Sequence, residues 1–246
     1  MKKITAIIVA GGQGTRLRPL TNSIPKPMVK VVGKPILEHT LNLLKKHGAT
    51  RFIFALCYLP QTIVDYFGDG SKFGVSISYT FEDPKKPLGT AGAILASKKF
   101  MKDSFIVTYA DTLRDLDISK MRKEHDLSKN IATLNVYKHS GSNCKSLIEF
   151  DDTNKLTKLT ELPAPIAFEK DDWTWSNGSV YIFEPEIFKY IKKGSPVDFA
   201  RDVFPEILAN KKPLSVFKSE GYVIDIGTPE TLKRAEQDIQ QGKISV

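Results

Sequence analysis

From the N-terminus to Tyr109, short apolar runs rich in β-branched residues alternate with longer runs of helical spacing. The strand-like runs are Ile4 to Val9, Arg51 to Leu56, Ser76 to Tyr79 and Ser104 to Tyr109; Pro35 to Lys46, Pro60 to Tyr66 and Thr90 to Phe100 read as helices. This alternation predicts an α/β fold with a mostly parallel sheet, because parallel neighbours need a crossover and the crossover is usually a helix. Asn130 to Tyr137, Lys145 to Phe150 and, after a turn at Asp151-Asp152-Thr153-Asn154, Lys155 to Thr160 are close enough in sequence to predict an antiparallel section. Ser179 to Phe183, Leu214 to Lys218 and Tyr222 to Ile224 read as further strands, and Pro185 to Ile191, Phe199 to Ala209 and Pro229 to Gln241 as helices. The last helix starts well, with Thr228 as cap, Pro229 at the first helical position and Glu230 against the positive end of the dipole. With no linker, repeat or low-complexity segment, a single domain over 1–246 with one mixed sheet is expected, and the chain stops too soon after that helix for a second module.

The longest apolar run, Phe52 to Leu59, is too short to cross a bilayer, which takes about 18 or more residues. Met1-Lys2-Lys3 before Ile4 to Ala10 imitates a secretory signal, but the run leads straight into glycines and reads as a first strand. Cys57 and Cys144 have neither metal-ligand spacing nor a second pair, so reduced core thiols and a cytoplasmic location are expected. Lys plus Arg is 36 against 28 Asp plus Glu, a net charge of +8 that favours anionic partners. The lysine pairs are scattered and read as solvated surface; no basic-aromatic tract points to nucleic acid, and no partner in a membrane is expected.

After the first strand, Gly11-Gly12-Gln13-Gly14-Thr15-Arg16 places glycines where backbone amides can face an anion. It is neither a Walker A loop nor a dinucleotide fingerprint, since no Gly-Lys-Ser/Thr closes it and Leu17 stands where the last glycine would be needed. Alone it reads equally well as a tight turn. Arg16 and Arg18 follow at once, and Pro25-Lys26-Pro27 then holds a lysine between two prolines, predicting a stiff extended arm that presents an ammonium.

The series Gly11-Gly12-Gln13-Gly14-Thr15-Arg16-Leu17-Arg18-Pro19-Leu20-Thr21, then Pro25-Lys26-Pro27-Met28, resembles the signature of the sugar-phosphate nucleotidyltransferases. Similar stretches follow at Gly33-Lys34-Pro35-Ile36-Leu37, Pro87-Leu88-Gly89-Thr90-Ala91-Gly92-Ala93, Asn177-Gly178-Ser179-Val180-Tyr181 and Asp225-Ile226-Gly227-Thr228-Pro229-Glu230. The resemblance implies a Rossmann-like nucleotide-diphospho-sugar transferase fold, a three-layer sandwich about the mixed sheet. It also implies a transfer between an NTP and a sugar 1-phosphate that yields an NDP-sugar and pyrophosphate. Gly11, Gly12, Gly14 and Thr15 would wrap the nucleotide, Arg16 and Lys26 would contact the reacting phosphates, and Gly89 and Thr90 would meet base and ribose. Glu161 and Asn177 would hold the sugar.

By position, Asp111 and Asp225 each follow a strand, where α/β sheets bind ligands at their C-terminal edge, although such aspartates are often ordinary loop or capping residues. The resemblance implies that the two hold Mg²⁺, which suits an ion that takes one or two protein carboxylates and completes its shell with phosphate and water. Thr90 also reads as a helix cap. Trp173 and Trp175 read first as packing residues and second as walls of a sugar pocket, and His39, His47, His125 and His139 show no metal spacing.

The sequence departs from the family pattern at Leu162, where a lysine for the sugar phosphate is usual; the alternatives are that Lys158 or Lys170 replaces it, or that the acceptor is unusual. Ser146 stands where glycine is common, and Tyr109-Ala110-Asp111 replaces Asn-Gly-Asp. The base is left open between Thr108-Tyr109, similar to cytidylyltransferases, and the 87–92 segment, similar to mannose- or heptose-1-phosphate guanylyltransferases and some uridylyltransferases. The expectation is a guanylyltransferase of the mannose or heptose type, with a cytidylyl-, uridylyl- or thymidylyltransferase on another sugar 1-phosphate as the alternative. A non-catalytic sugar-nucleotide-binding subunit is the rival, and any homo-oligomer would assemble through the α/β domain itself.

Overall fold

In the computed structural model, which describes residues 4–141, 144–169 and 172–244, the N-terminal apolar run forms β1 (Ile4–Ala10). There follow β2 (Lys30–Val31), β3 (Lys34–Pro35), α1 (Ile36–Lys46), β4 (Ala49–Leu56), α2 (Pro60–Phe67), β5 (Ser76–Phe81), α3 (Gly89–Gly92), β6 (Phe105–Tyr109) and β7 (Thr112–Arg114). The chain continues through α4 (Ile118–Ser128), β8 (Ala132–Ser140), β9 (Cys144–Phe150), β10 (Leu156–Ile166), β11 (Trp173–Phe183), α5 (Phe204–Ala209), β12 (Leu214–Ser219), β13 (Val223–Asp225) and α6 (Pro229–Gln240). Seven strands form a mixed sheet in the order β12-β8-β11-β6-β1-β4-β5. The pairs β1–β4, β4–β5 and β12–β8 are parallel, and β11 is antiparallel to β8. This is the mostly parallel α/β sheet that the alternation predicts.

The chain folds into two compact units, one of residues up to Pro87 with Val107–Leu116 and residues from Gly221 on, the other of Leu88–Ile106 and Asp117–Glu220. In the first, Ala6, Ile7, Ile8, Phe52 and Phe54 are consecutive or alternate residues that are all buried, as expected of parallel strands covered on both faces. A second apolar cluster there joins Leu17, Val29, Val31, Ile36, Leu113, Ile224, Ile226 and Ala235, drawn from five separate stretches of sequence. In the other unit Tyr181, Phe183, Phe199 and Phe204 pack together with ring centroids 5.0–6.1 Å apart and fix the 199–209 segment to β11.

Several expected helices take other forms. Thr90 to Phe100 is not one helix: α3 is a single turn, and a 3₁₀ stretch follows at Leu95–Phe100. Gly89 has φ +77° at the start of α3, so the backbone enters out of the right-handed helical basin. Pro185–Lys189 is 3₁₀, and Phe199–Ala209 begins with a π-helical turn at Phe199–Val203 before α5. Pro205 has no N–H to give to the preceding turn, and the bond from Val203 N to Asp198 O spans five residues instead of four. Helix α4 and strand β7 join the elements expected from the sequence. The N-terminus of α4 is capped by Asp117, which accepts from Lys120 N at 2.9 Å, and it buries only Ile118, Met121 and His125.

Candidate active site

The first unit gathers Arg16, Lys26, Asp111 and Asp225, and the gathering follows from the apolar cluster. Leu17 adjoins Arg16, Val29 follows Lys26 by three residues, Leu113 follows Asp111 by two, and Ile224 and Ile226 flank Asp225; all five are buried in that one cluster. Burying such side chains contributes roughly 1.5–3 kcal/mol each, so the polar residues between them have little freedom in where they emerge. The β7–β13 ribbon completes the alignment, pairing Asp225 with Thr112 and Ile224 with Leu113, and Ile226 N donates to Asp111 O at 2.8 Å. Asp225 therefore ends this short ribbon; it does not lie past a strand of the main sheet, because Val223 to Asp225 pairs with β7 instead.

Lys26 is not on an extended arm. It opens a 3₁₀ turn at Lys26–Met28, in which Met28 N donates to Pro25 O at 2.8 Å and Val29 N to Lys26 O at 3.1 Å. Its side chain is buried, and Nζ donates to Asp111 Oδ2 at 2.9 Å and to Asp225 Oδ1 at 3.2 Å. Burial works against the ammonium, but the carboxylates of Asp111 and Asp225 outweigh it and hold the Lys26 pKa above the ordinary lysine value. The carboxylates themselves are about a third exposed. Two carboxylates aimed at one point are the donor chemistry of a hard divalent cation. Among the described residues no group of three or more His, Cys, Asp or Glu forms an all-protein cage.

The glycine loop borders this centre. Gly14 has φ +64°, and a Cβ there would lie 2.7 Å from Lys26 Cβ, so the glycine is what lets the loop close over the lysine stem. Thr21 Oγ1 donates to Gly14 O at 2.7 Å and fixes the turn. Gly11 is held close against Cys57, whereas Gly12, Gln13, Thr15 and Arg16 are exposed. A Cβ on Gly227 would come within 2.9 Å of Arg16 Nη2 and 3.4 Å of Asp225 Oδ1, which places the guanidinium beside the acidic pair.

The second unit holds the remaining expected site residues. Glu161 on β10 pairs in register with Ser146 on β9, and Ser146 Oγ accepts from Asn177 N at 2.9 Å. The β11–β8 register shifts between Asn177 and Tyr181, and Ser179 has φ +57°; Asn177 Oδ1 accepts from Ser179 N at 3.0 Å and steadies this bulge. Burial, and then the charge of Asp198, raise the Glu161 pKa above the usual carboxylate value, while Arg201, Lys145 and a hydrogen bond with Asn177 pull it down. Glu161 and Asn177 thus form one polar group with Ser146.

Gly89 and Thr90 lie against a turn at Val197 and Asp198. A Cβ on Gly89 would fall 2.5 Å from Val197 O, and Val197 N donates to Leu88 O at 2.8 Å. Thr90 does not cap α3, which begins at Gly89; its hydroxyl donates to Asp198 Oδ2 at 2.6 Å and accepts from Phe199 N at 3.1 Å. Asp198 Oδ1 in turn caps the π-helical turn by accepting from Ala200 N and Arg201 N. An aspartate just before an apolar run was the available sign of that cap, but its bond to Thr90 spans 108 residues.

Lys158 points away from the face of Glu161. It pairs with Glu149 at 3.1 Å and, an odd number of residues from Glu161 along a regular stretch of β10, leaves the strand on the other face. Lys170 lies outside the described residues. Trp173 and Trp175 pack edge to face at 5.6 Å, with Phe150 at 5.6 Å from Trp175, a packing arrangement. His39 is buried against Val31 O, and His125 is buried between Thr133 and Glu184. Cys57 and Cys144 are free and buried, and no helix among the described residues is long and apolar enough to cross a membrane.

Residues 5–242 match the family described as Nucleotidyl transferase. A UTP–glucose-1-phosphate uridylyltransferase of Synechocystis sp. is 35% identical over 90% of this chain, which spans 60% of that relative's length. A D-glycero-alpha-D-manno-heptose 1-phosphate guanylyltransferase of Aneurinibacillus thermoaerophilus is 33% identical, over 96% of this chain and 98% of its own. Among solved structures, HddC from Yersinia pseudotuberculosis complexed with GMP-PN is similar with a TM-score of 0.77 and 25% identity, over 96% of this chain and 99% of that one.

Proposed function

Because the chain belongs to the nucleotidyl transferase family, we propose that it transfers a nucleoside monophosphate from an NTP to a sugar 1-phosphate, releasing pyrophosphate. The observation that carries this reading is the convergence of Asp111 and Asp225 on the Lys26 ammonium, at 2.9 and 3.2 Å, next to the glycine turn. A phosphate oxygen of the sugar ester attacks the α-phosphorus of the NTP; a new P–O bond forms, the bond to the bridging oxygen breaks, and its electron pair leaves with pyrophosphate. The nucleophile is already an anion, so no general base is assigned.

The obstacle is repulsion between two polyanions, since each pair of unit charges about 4 Å apart costs on the order of several kcal/mol at intermediate dielectric. Lys26 and Arg16 offset this by holding cationic donors at fixed positions, so that no reorganisation is needed as charge develops. Asp111 and Asp225 would hold Mg²⁺, whose chemistry is to neutralise phosphate charge and orient the triphosphate. The fit rests on the two carboxylates already converging on one cation, the Lys26 ammonium. Gly11, Gly12, Gly14, Thr15, Gly89 and Thr90 serve the nucleoside triphosphate in this reading, and Glu161 and Asn177 the sugar.

For the substrates we favour GTP with a mannose- or heptose-type 1-phosphate. The heptose-1-phosphate relative, matched along almost its whole length, supports this choice, and the uridylyltransferase relative supports UTP as the alternative. The test is pyrophosphate release from ATP, GTP, CTP, UTP and dTTP, each against a panel of sugar 1-phosphates with Mg²⁺. Release with GTP and a manno-configured ester is expected; release with another pair would reassign the base. Binding of nucleotide sugar with no release from any pair would make the chain a non-catalytic subunit.

A further inference from the structure

A sugar 1-phosphate bound at Glu161 brings its phosphate close to carboxylates, since Glu161 is half-buried and shares its surroundings with Asp198. A cation has to offset that arrangement. Lys158 is committed to Glu149 and leaves β10 on the other face. Lys145 also acts electrostatically on Glu161, but, one residue from Ser146, the register partner of Glu161, it leaves β9 on the face opposite to that pair.

Arg201 arrives from a different element. It lies in the π-helical turn Phe199–Val203, which packs on β10, and its backbone is pinned because Arg201 N donates to Asp198 Oδ1 at 3.1 Å. The same Asp198 accepts the Thr90 hydroxyl at 2.6 Å, and Gly89 is pressed against Val197 one residue earlier. Residues 197–201 therefore link the Gly89–Thr90 segment to the strand of Glu161. If Thr90 is on the nucleoside side and Glu161 on the sugar side, the phosphate that joins them passes this turn. The Arg201 side chain is exposed and acts electrostatically on Glu161.

Resting on the transferase reading above, we infer that Arg201 binds the phosphate of the sugar 1-phosphate substrate, taking the role for which the Glu161-Leu162-Pro163 segment offers no cation. A guanidinium suits it, because its planar fork binds phosphate oxygens in pairs.

The test uses the full chain with whichever NTP and sugar 1-phosphate release pyrophosphate. Arg201→Ala is expected to raise KM for the sugar 1-phosphate by about tenfold to hundredfold, the loss of charge-assisted hydrogen bonds, with KM for the NTP and the melting temperature unchanged. Arg201→Lys keeps the charge and is expected to recover most of the loss. An unchanged KM for the sugar 1-phosphate, an equal rise for both substrates, or a lysine variant as impaired as the alanine one would overturn the inference. Calorimetry separates this from failure of the transferase reading. If no pair turns over, α-D-mannose 1-phosphate binding more tightly than mannose, with the difference lost in Arg201→Ala, upholds the phosphate site. Equal binding in both proteins, or none, overturns it.

Discussion

Lys26 ties the two acidic residues together across 85 and 199 positions of sequence, and its substitutions separate charge from shape. Lys26→Met keeps the stem against which Gly14 closes and removes only the ammonium. Turnover is expected to fall by about a hundredfold or more, as when a preorganised charge is lost from a phosphoryl-transfer site, with the circular dichroism spectrum retained. Asp111→Asn and Asp225→Asn preserve side-chain shape and remove a charge proposed to ligate Mg²⁺. Each should lower Mg²⁺-dependent turnover strongly while leaving the fold intact, and near-normal rates at saturating Mg²⁺ would remove the metal assignment. Both aspartates were legible as motif members, but the bond that joins them through Lys26 was not, because no local pattern encodes a partner so far along the chain. Leu162 was equally legible as a departure, whereas Arg201 acts on Glu161 only once the 199–203 turn is packed on β10.

Among the elements, the short irregular ones position the polar groups. The Gly89 turn is a case: with φ +77° and Val197 O only 2.5 Å from a would-be Cβ, Gly89→Ala is expected to destabilise by about 2 kcal/mol or more. Denaturant midpoints would show it, and Thr90 would lose its alignment with Asp198. The start of α6 is a milder case. Thr228 Oγ1 accepts from Thr231 N at 3.3 Å in a reciprocal cap, as the Thr228-Pro229-Glu230 sequence predicted, and Thr228→Ala should cost roughly 0.5–2 kcal/mol by the same measurement. Strands β1 and β4 and helix α1 were readable because their apolar spacing is dense. Helix α4 was not, since only Ile118, Met121 and His125 of its eleven residues are buried and the rest read as a charged loop. The π-helical turn escaped for another reason: periodicity registers a helix, but not how Pro205 shifts its bonding.

For the molecule as a whole, acid is the informative stress. His39 and His125 are held below the ordinary histidine pKa of 6.5, chiefly because burial disfavours the imidazolium, against opposing pulls from Val31 O and Glu184. The native state therefore favours neutral rings, and the unfolded chain takes up protons first as pH falls. Their contribution is complete above about pH 6.5 and is lost as pH drops through the native values. Thermal melts should show a lower midpoint near pH 5 than near pH 7.5, with a smaller difference in His125→Gln; a flat profile would contradict the buried neutral rings. Taken alone, the sequence determined the alternation of strands and helices, the glycine turn, and the residue types that a polyanion-handling site needs, because these follow from spacing and side-chain chemistry within short windows. Only the tertiary structure decided that Lys26 sits buried between Asp111 and Asp225, that Asp225 ends a two-stranded ribbon, and that Thr90 bonds Asp198. Each of these depends on apolar side chains from distant segments being buried together, and burial carries no direction that a local stretch of sequence can express.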